Sequence, residues 1–172
     1  MKKLALFALV LTAAFSAPRA EAQFSLMPYL GYNLDSEGGL VGIGAEFAAP
    51  FSAGNLELAI RPSVEYVFVE DIELFGTEIN TTLLQINADV VTRFSATPSF
   101  QPYAGAGLGI LYASVESGGQ SVSDTELGIN VLGGLEFPGV LGFGDPFVQG
   151  RLTIADGSAI AILAGLSIPL GN

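Results

Sequence analysis

The sequence predicts an all-β fold, a closed antiparallel up-and-down β-barrel of eight strands. Apolar residues recur at every second position along almost the whole chain, and this is the period at which a strand alternates its side chains between two faces. Clusters of Gly, Pro, Asp and Ser divide the chain into eight such segments. The mean hydropathy is +0.54, yet beyond the N-terminal segment no apolar run reaches the roughly 18 residues that indicate a membrane-spanning helix.

The N-terminal segment has the pattern of an export signal. Two lysines precede an apolar run over residues 4–17, and a small-x-small cleavage site follows at 20–22. The run is shorter than the ~20 residues of a membrane-spanning helix, and a proline and an arginine come directly after it. We therefore expect residues 1–22 to be a cleaved signal peptide and residues 23–172 to form one barrel domain.

The first four predicted strands each oppose an apolar face to a face of small, polar or charged residues. In the first two strands, the apolar face begins at Phe24 and Val41 and continues at every second residue. The third strand is the clearest, because Leu56–Phe68 places charges of both signs opposite an unbroken apolar face. The fourth opposes Leu, Ile and Val to amides and charges. These strands are predicted at 25–33, 40–47, 56–69 and 80–94.

The last four predicted strands follow the same pattern with more glycine. The fifth carries a glycine at every second residue from Gly105 to Gly109. The sixth and seventh oppose Leu, Ile and Val to Asn, Gln, Glu and Arg, and the eighth opposes Ile and Leu to Ala, Gly and Ser. These strands are predicted at 101–115, 126–137, 146–154 and 159–169.

The composition indicates which face is inside. After residue 22 the chain keeps three arginines, no lysine and sixteen acids, for a net charge near −13. The polar face is too rich in glycine and too poor in lysine for a water-exposed surface, whereas a narrow lumen favours such a mixture. We therefore predict a transmembrane barrel that turns its apolar face to lipid.

All three arginines fall on the predicted inward face, together with five carboxylates. Because removing one partner of a buried ion pair typically costs several kcal/mol, these charges are expected to pair, with bidentate Arg–carboxylate contacts. The predicted lumen network comprises Glu46, Glu57, Arg61, Glu65, Asp89, Arg93, Glu136 and Arg151. A polar plug that fixes the strand register is the main interpretation, and a narrow gated conduit is the alternative.

The predicted loops and aromatic residues distinguish the two ends of the barrel. Nearly all loop acids fall in alternate connections, at 34–39, 70–79, 116–125 and 155–158, which are expected to be extracellular. The other connections, at 48–55, 95–100 and 138–145, are rich in Pro and Gly and contain Asp145 as their one acid. Outward rings at both strand ends are typical of girdles at the bilayer interfaces. The predicted girdles are Phe24, Phe47, Phe94 and Phe137 at one end and Tyr32, Tyr66, Phe68 and Tyr112 at the other.

The stretch PYAGAGLG at 102–109 is similar to the Pro-Tyr-x-Gly-x-Gly-x-Gly strand common in small outer-membrane barrels. With the signal and the eight strands, the chain resembles the OmpA transmembrane-domain and OmpX-like family. The resemblance implies a place in the bacterial outer membrane, with lipid and the outer-membrane assembly machinery as partners. Family members usually end on an aromatic residue that this machinery recognises, whereas this chain ends Ile168-Pro169-Leu170-Gly171-Asn172.

Several function classes are disfavoured by residue types. The chain has neither cysteine nor histidine, so we expect no thiolate metal site, no cofactor and no His-dependent catalysis. The negative charge disfavours nucleic-acid binding, which depends on Lys and Arg. Three hypotheses remain open: a monomeric structural or surface-interaction barrel, a narrow gated channel, and a soluble lipocalin-like barrel that binds an apolar ligand.

Overall fold

The computed structural model describes residues 24–170 except 54–55, 70–71, 75–76, 95–98 and 118–119, with the backbone alone at 50–53, 72–74, 77–80 and 117. The predicted signal peptide lies outside these residues. No helix long and apolar enough to cross a membrane occurs in the described part of the chain. The described strands are β1 (Phe24–Asn33), β2 (Gly38–Ala53), β3 (Leu56–Phe68), β4 (Ile72–Leu74), β5 (Thr77–Arg93), β6 (Gln101–Ser117), β7 (Gln120–Glu136), β8 (Asp145–Ile154) and β9 (Ser158–Leu170).

The eight long strands close into one antiparallel barrel. Their order is β3-β2-β1-β9-β8-β7-β6-β5, and β5 pairs back with β3. The first and last strands close the seam, with Phe24 opposite Leu170. The short β4 pairs with the start of β5 and extends the wall beyond β3. The predicted up-and-down eight-stranded barrel is confirmed.

Two strands, β2 and β7, are longer than predicted by five residues or more. β2 continues to Ala53 through a register irregularity between Ala48 and Ser52, so the chain keeps pairing where the apolar alternation ends. β7 begins at Gln120, where a polar stretch pairs residue by residue with β6. From Gln120 to Thr125 the side chains of β7 are exposed, so this part of the strand is held by backbone hydrogen bonds rather than by a buried apolar face, and the apolar period does not predict its length.

The strand faces have the predicted orientation. Exposed apolar side chains such as Leu30, Val64 and Leu108 cover the outside, whereas Glu65 and Asn130 are fully buried inside. Two apolar clusters complete the interior, around Met27, Leu40, Val67 and Leu163 and around Ala59, Val91, Tyr103 and Leu132. The wall therefore has an apolar outer belt and a filled interior.

Inward-facing glycines make room for two tyrosine rings inside the barrel. A Cβ at Gly42 would lie 2.3 Å from the Tyr29 ring, and a Cβ at Gly134 would lie 2.5 Å from the Tyr103 ring. Because an eight-stranded barrel is only wide enough to be filled by side chains, a ring that occupies the lumen needs a bare backbone opposite it. The inward glycines are thus a packing requirement.

Candidate functional site

The lumen contains two groups of ion pairs, one near each end of the polar interior. The first, which we call the Glu46 cluster, joins Glu46, Arg61, Arg93 and Glu136 from four different strands. Arg93 Nη2 lies 2.6 Å from Glu46 Oε1 and 2.8 Å from Glu136 Oε2, so this arginine bridges two carboxylates. Arg61 donates to Glu46 Oε2 through both Nε and Nη2. The cluster therefore ties β2, β3, β5 and β7 across the lumen.

The second group, the Glu65 cluster, is centred on a fully buried carboxylate. Arg151 donates through its two Nη atoms to the two carboxylate oxygens of Glu65, which is a bidentate pair. The Tyr29 hydroxyl donates to Glu65 Oε1 at 2.7 Å, and Asn87 Nδ2 donates to the same oxygen at 3.3 Å. β1, β3, β5 and β8 thus meet at one carboxylate, whose charge is neutralised by a single arginine.

Amide side chains connect the charges to the rest of the lumen. Asn130 Nδ2 donates to Asn87 Oδ1 and to Asp89 Oδ1, both at 2.9 Å, and its own Oδ1 accepts from Thr153 Oγ1. Gln85 adds a 2.7 Å contact from its Nε2 to Asn87 Oδ1. Asp89 is therefore held by an amide rather than by an arginine.

Gln149 and Tyr103 support the guanidinium of Arg61. The Gln149 side-chain oxygen accepts from Arg61 Nη1 at 3.0 Å and from the Tyr103 hydroxyl at 3.1 Å. The Arg61 guanidinium carbon also lies 4.6 Å from the Tyr103 ring centroid, a cation–π distance. The orientation of the Arg61 guanidinium is therefore fixed at its edge by Gln149 and on one face by Tyr103.

The polar interior leaves little free space. A cavity of about 20 Å³ lies between Arg61, Asp89, Arg151 and their neighbours, which is room for about one or two water molecules. Within the described residues, no three His, Cys, Asp or Glu side chains are grouped to hold a metal ion. The arrangement can clamp carboxylates and fix strand register, and this cavity has no room for a solute larger than water.

One residue of the predicted network lies elsewhere. Glu57 has the inward parity of Arg61, but it is exposed at the beginning of β3. It lies four positions before Arg61, about 13 Å along an extended strand, and this places its carboxylate beyond the Glu46 cluster. Alternation predicts whether a side chain faces the lumen or the lipid, but it does not predict the position of that side chain along the barrel axis. Glu57 therefore does not join the ion pairs, although its predicted orientation is inward.

Several residues that face the lumen are not part of the predicted network, although alternation predicts an inward orientation for them as well. Uncharged side chains take part in most of the side-chain hydrogen bonds of the lumen, and the alternation of the predicted strands turns these residues inward. Their polarity on a predicted inward face was the available signal. These residues are Tyr29, Ser63, Gln85, Asn87, Tyr103, Asn130, Gln149 and Thr153.

The predicted girdle residues lie at the two ends of the outer belt. At one end the Phe24 and Phe47 rings are 4.9 Å apart, with Phe94 exposed and Phe137 half-buried beyond them. At the other end the Tyr66 and Phe68 rings are 5.1 Å apart, and Tyr32 and Tyr112 are exposed. The rings therefore bracket the apolar belt on both sides.

The end of the barrel at the β1–β2, β6–β7 and β8–β9 turns carries exposed acids, and we call it the acidic rim. Asp35, Glu37, Glu116, Asp124 and Asp156 are exposed there. The predicted acids of residues 70–79 have no described side chain. The Asp35 carboxylate accepts from the Ile160 backbone N–H at 2.6 Å and so fastens the β1–β2 turn to β9.

At the acidic rim, β7 extends beyond the end of the neighbouring strand β8, and this leaves one edge of β7 without a partner strand in the described chain. β7 pairs with β6 from Gln120 onward, but its pairing with β8 begins only at Ile129, opposite Ile154. Residues 120–128 therefore have β6 on one side and no strand of the described chain on the other, and we call them the β7 edge. Unpaired backbone N–H and C=O groups on such an edge are a template for another strand.

The chain is similar to a known family and to solved structures. Residues 7–138 match the family described as outer membrane protein beta-barrel domain, while no curated protein sequence matches the chain. Neisserial surface protein A (NspA) aligns with a TM-score of 0.61 at 19% identity, over 87% of this chain and 96% of that one. Ail, the attachment invasion locus protein of Yersinia pestis, aligns at 0.60 and 14% identity, over 87% and 99%. The outer membrane enzyme PagL aligns at 0.51 and 17% identity, over 85% and 99%.

Proposed function

Since the chain belongs to the outer membrane protein beta-barrel domain family, and is a protein of the bacterial outer membrane, we propose that it is a monomeric surface-interaction barrel. In this proposal the ion-paired lumen is a support, and the acidic rim faces outward to meet partners. The names of NspA, a surface protein, and Ail, an attachment invasion locus protein, support this function. Membrane lipid and the outer-membrane assembly machinery are the partners expected of such a barrel.

A catalytic role is not proposed, although the fold also occurs in an enzyme, because fold alone does not assign function. The chain has no histidine to serve as a general base. Its buried carboxylates face arginines or amides rather than a space for a substrate.

The observation that carries the proposal is the β7 edge. It has no strand of the described chain on its outer side, its side chains are exposed from Gln120 to Thr125, and Asp124 adds negative charge in its middle. After residue 22 the chain has no lysine and three arginines, all of them in the lumen. A second copy therefore brings acids against acids, whereas an extended basic segment complements the edge in both hydrogen bonding and charge.

We expect a peptide of alternating lysine and valine to bind the folded barrel, and Asp124→Lys to weaken this binding by about fivefold. The factor follows because an exposed ion pair is worth up to about 1 kcal/mol. Anisotropy of the dye-labelled peptide, titrated with the barrel in detergent micelles, measures the affinity. Added salt should weaken binding, because exposed charges are screened.

The matched control is Glu37→Lys, which makes the same change of charge on the acidic rim but in the β1–β2 turn. It should leave peptide binding nearly unchanged. Equal losses in the two variants would mean that the peptide senses only the net charge, and the β7 edge would then have no specific role.

A narrow gated channel is the second candidate, and the position of Arg93 favours it. The Arg93 side chain is 25% exposed, against 6% for Arg61 and 3% for Arg151. It is therefore the lumen arginine with most access to water, and its movement away from Glu46 and Glu136 would loosen that end of the lumen. In this candidate function the packed lumen, with its cavity of about 20 Å³, is the closed state.

For a support barrel, we expect planar bilayers with the wild-type protein to show no stable open state. Side chains fill the lumen, and the cavity admits about one or two water molecules. Single-channel recording at both voltage polarities makes the measurement, with Arg93→Ala as the comparison. A discrete wild-type conductance that changes in Arg93→Ala would contradict the support function and favour the channel.

A further inference from the structure

The end of the barrel opposite the acidic rim has an exposed apolar loop. Residues 138–144 connect β7 to β8, and within them Val140 is 62% exposed, Leu141 36% and Phe143 62%. The loop has no charged residue. Asp145, which follows it, directs its carboxylate back into the loop. Large apolar side chains concentrated on one turn mark a contact surface rather than an ordinary loop.

The loop is held in a defined shape. The Gly139 N–H donates to Asp145 Oδ1 at 2.7 Å, and Gly139 has φ 72°. Leu141 and Gly144 form a β-bridge, and the Phe137 N–H donates to the Pro146 carbonyl at 2.9 Å. The loop backbone thus closes on itself and leaves its apolar side chains outside.

The loop continues the lipid-facing belt. Leu135 on β7 and Val148 on β8 are exposed, outward-facing residues of the belt, and Phe137 stands where the loop begins. The tip of the loop, at Leu141, lies at most about 13 Å beyond Phe137, since four extended residues span about that length. A bilayer is about 30 Å thick in its hydrocarbon core and about 40–45 Å with its interfacial regions, so a loop of this reach remains close to the membrane interface.

We propose that residues 138–144 are a membrane anchor, with Val140, Leu141 and Phe143 inserted at the boundary between acyl chains and headgroups of the adjacent leaflet. We identify phospholipid as the partner of this loop because the loop is uncharged and continuous with the lipid-facing belt. The acidic rim at the other end of the barrel carries exposed carboxylates instead. The inference does not depend on the proposed function. It holds for either orientation of the barrel and for either a support or a channel.

The absence of tryptophan from the chain allows a direct test. Phe143→Trp places a single tryptophan in the full-length barrel, refolded into phosphatidylcholine vesicles with brominated acyl chains. We expect blue-shifted emission and a loss of fluorescence that is greatest for bromines near the headgroup. Val122→Trp, on the β7 edge at a position that is 74% exposed, is the control for a residue in water. Leu108→Trp, in the middle of β6, is the control for a residue in the belt.

Equal emission and equal bromine quenching for Phe143→Trp and Val122→Trp would overturn the proposal. The loop would then face water, as a docking site for a periplasmic or extracellular protein would. Val140→Trp repeats the test at a second exposed position, so a local effect of one substitution does not decide the result. Quenching of both loop tryptophans above that of Val122→Trp supports the anchor.

Discussion

Arg151→Met is expected to lower the free energy of unfolding by about 3–5 kcal/mol, the cost of breaking a buried ion pair from one side. Glu65 is fully buried, and the two Nη atoms of Arg151 contact its two carboxylate oxygens. Methionine keeps part of the side-chain volume but leaves the carboxylate without a counter-charge. Urea unfolding of the barrel in micelles, followed by the gel mobility of the folded and unfolded forms, measures the loss.

The double variant Arg151→Met with Glu65→Gln separates charge from packing. It removes both charges and retains a carbonyl oxygen that can accept from Tyr29 and Asn87, which contact Glu65 in the wild type. The double variant leaves no unpaired buried charge, which is the main cost of breaking a buried ion pair from one side, so most of the stability should return. A double variant as unstable as Arg151→Met would show that the lost packing of the arginine, and not the unpaired carboxylate, is responsible.

Gly107→Ala is expected to cost about 3 kcal/mol, at the upper end of the range for overpacking. A Cβ at this position would lie 2.3 Å from the Ala88 carbonyl oxygen and 2.5 Å from Asp89 Cα. Both are backbone atoms of β5, which pairs with β6 along its length, so neither can move without opening the ladder. Urea unfolding in the same micelles measures the effect.

Gly150→Ala is the matched control for Gly107→Ala. A Cβ at Gly150 meets no atom within 4 Å, because this residue faces outward on β8. The free energy of unfolding of Gly150→Ala should be unchanged or about 0.5 kcal/mol higher than that of the wild type, since alanine restricts the unfolded chain more than glycine does. If both alanines destabilise the barrel equally, the cause is a general loss of backbone freedom and not the contact with β5.

The strand faces could be predicted from the sequence because the barrel has one strong physical constraint. Lipid outside and a narrow lumen inside impose a period of two on every strand that crosses the membrane, and Leu56–Phe68 satisfies it without a break. The polar stretch at 120–128 escapes this constraint because it lies beyond the apolar belt. Its pairing with β6 comes from the hairpin backbone, which apolar alternation does not reveal.

The choice of partners within the lumen required the three-dimensional register. Arg151 and Glu65 are 86 residues apart in sequence, and their meeting depends on the stagger of strands on both sides of the seam. The alternation of apolar and polar residues assigns the side chains of Arg151 and Glu65 to the lumen, but it does not determine which carboxylate pairs with which arginine. Alternation also predicts an inward orientation for Glu57, although the position of this residue at the beginning of β3 leaves its side chain exposed. The face on which a side chain lies is a local property of its strand. Its position along the barrel axis and its partner across the lumen depend on the register of the closed barrel.

The placement of every arginine of the barrel inside the lumen has a consequence for proteolysis. Trypsin cleaves after lysine and arginine except before proline, so beyond residue 22 the chain offers it Arg93 and Arg151, whereas Arg61 is followed by Pro62. Both side chains are engaged by carboxylates inside the barrel, so the closed barrel hinders cleavage at both sites, while the opened chain of residues 23–172 is cut into three fragments. Where opening and closing are fast relative to cleavage, the digestion rate follows the population of the open form, and trypsin alone then distinguishes a closed barrel from an open one.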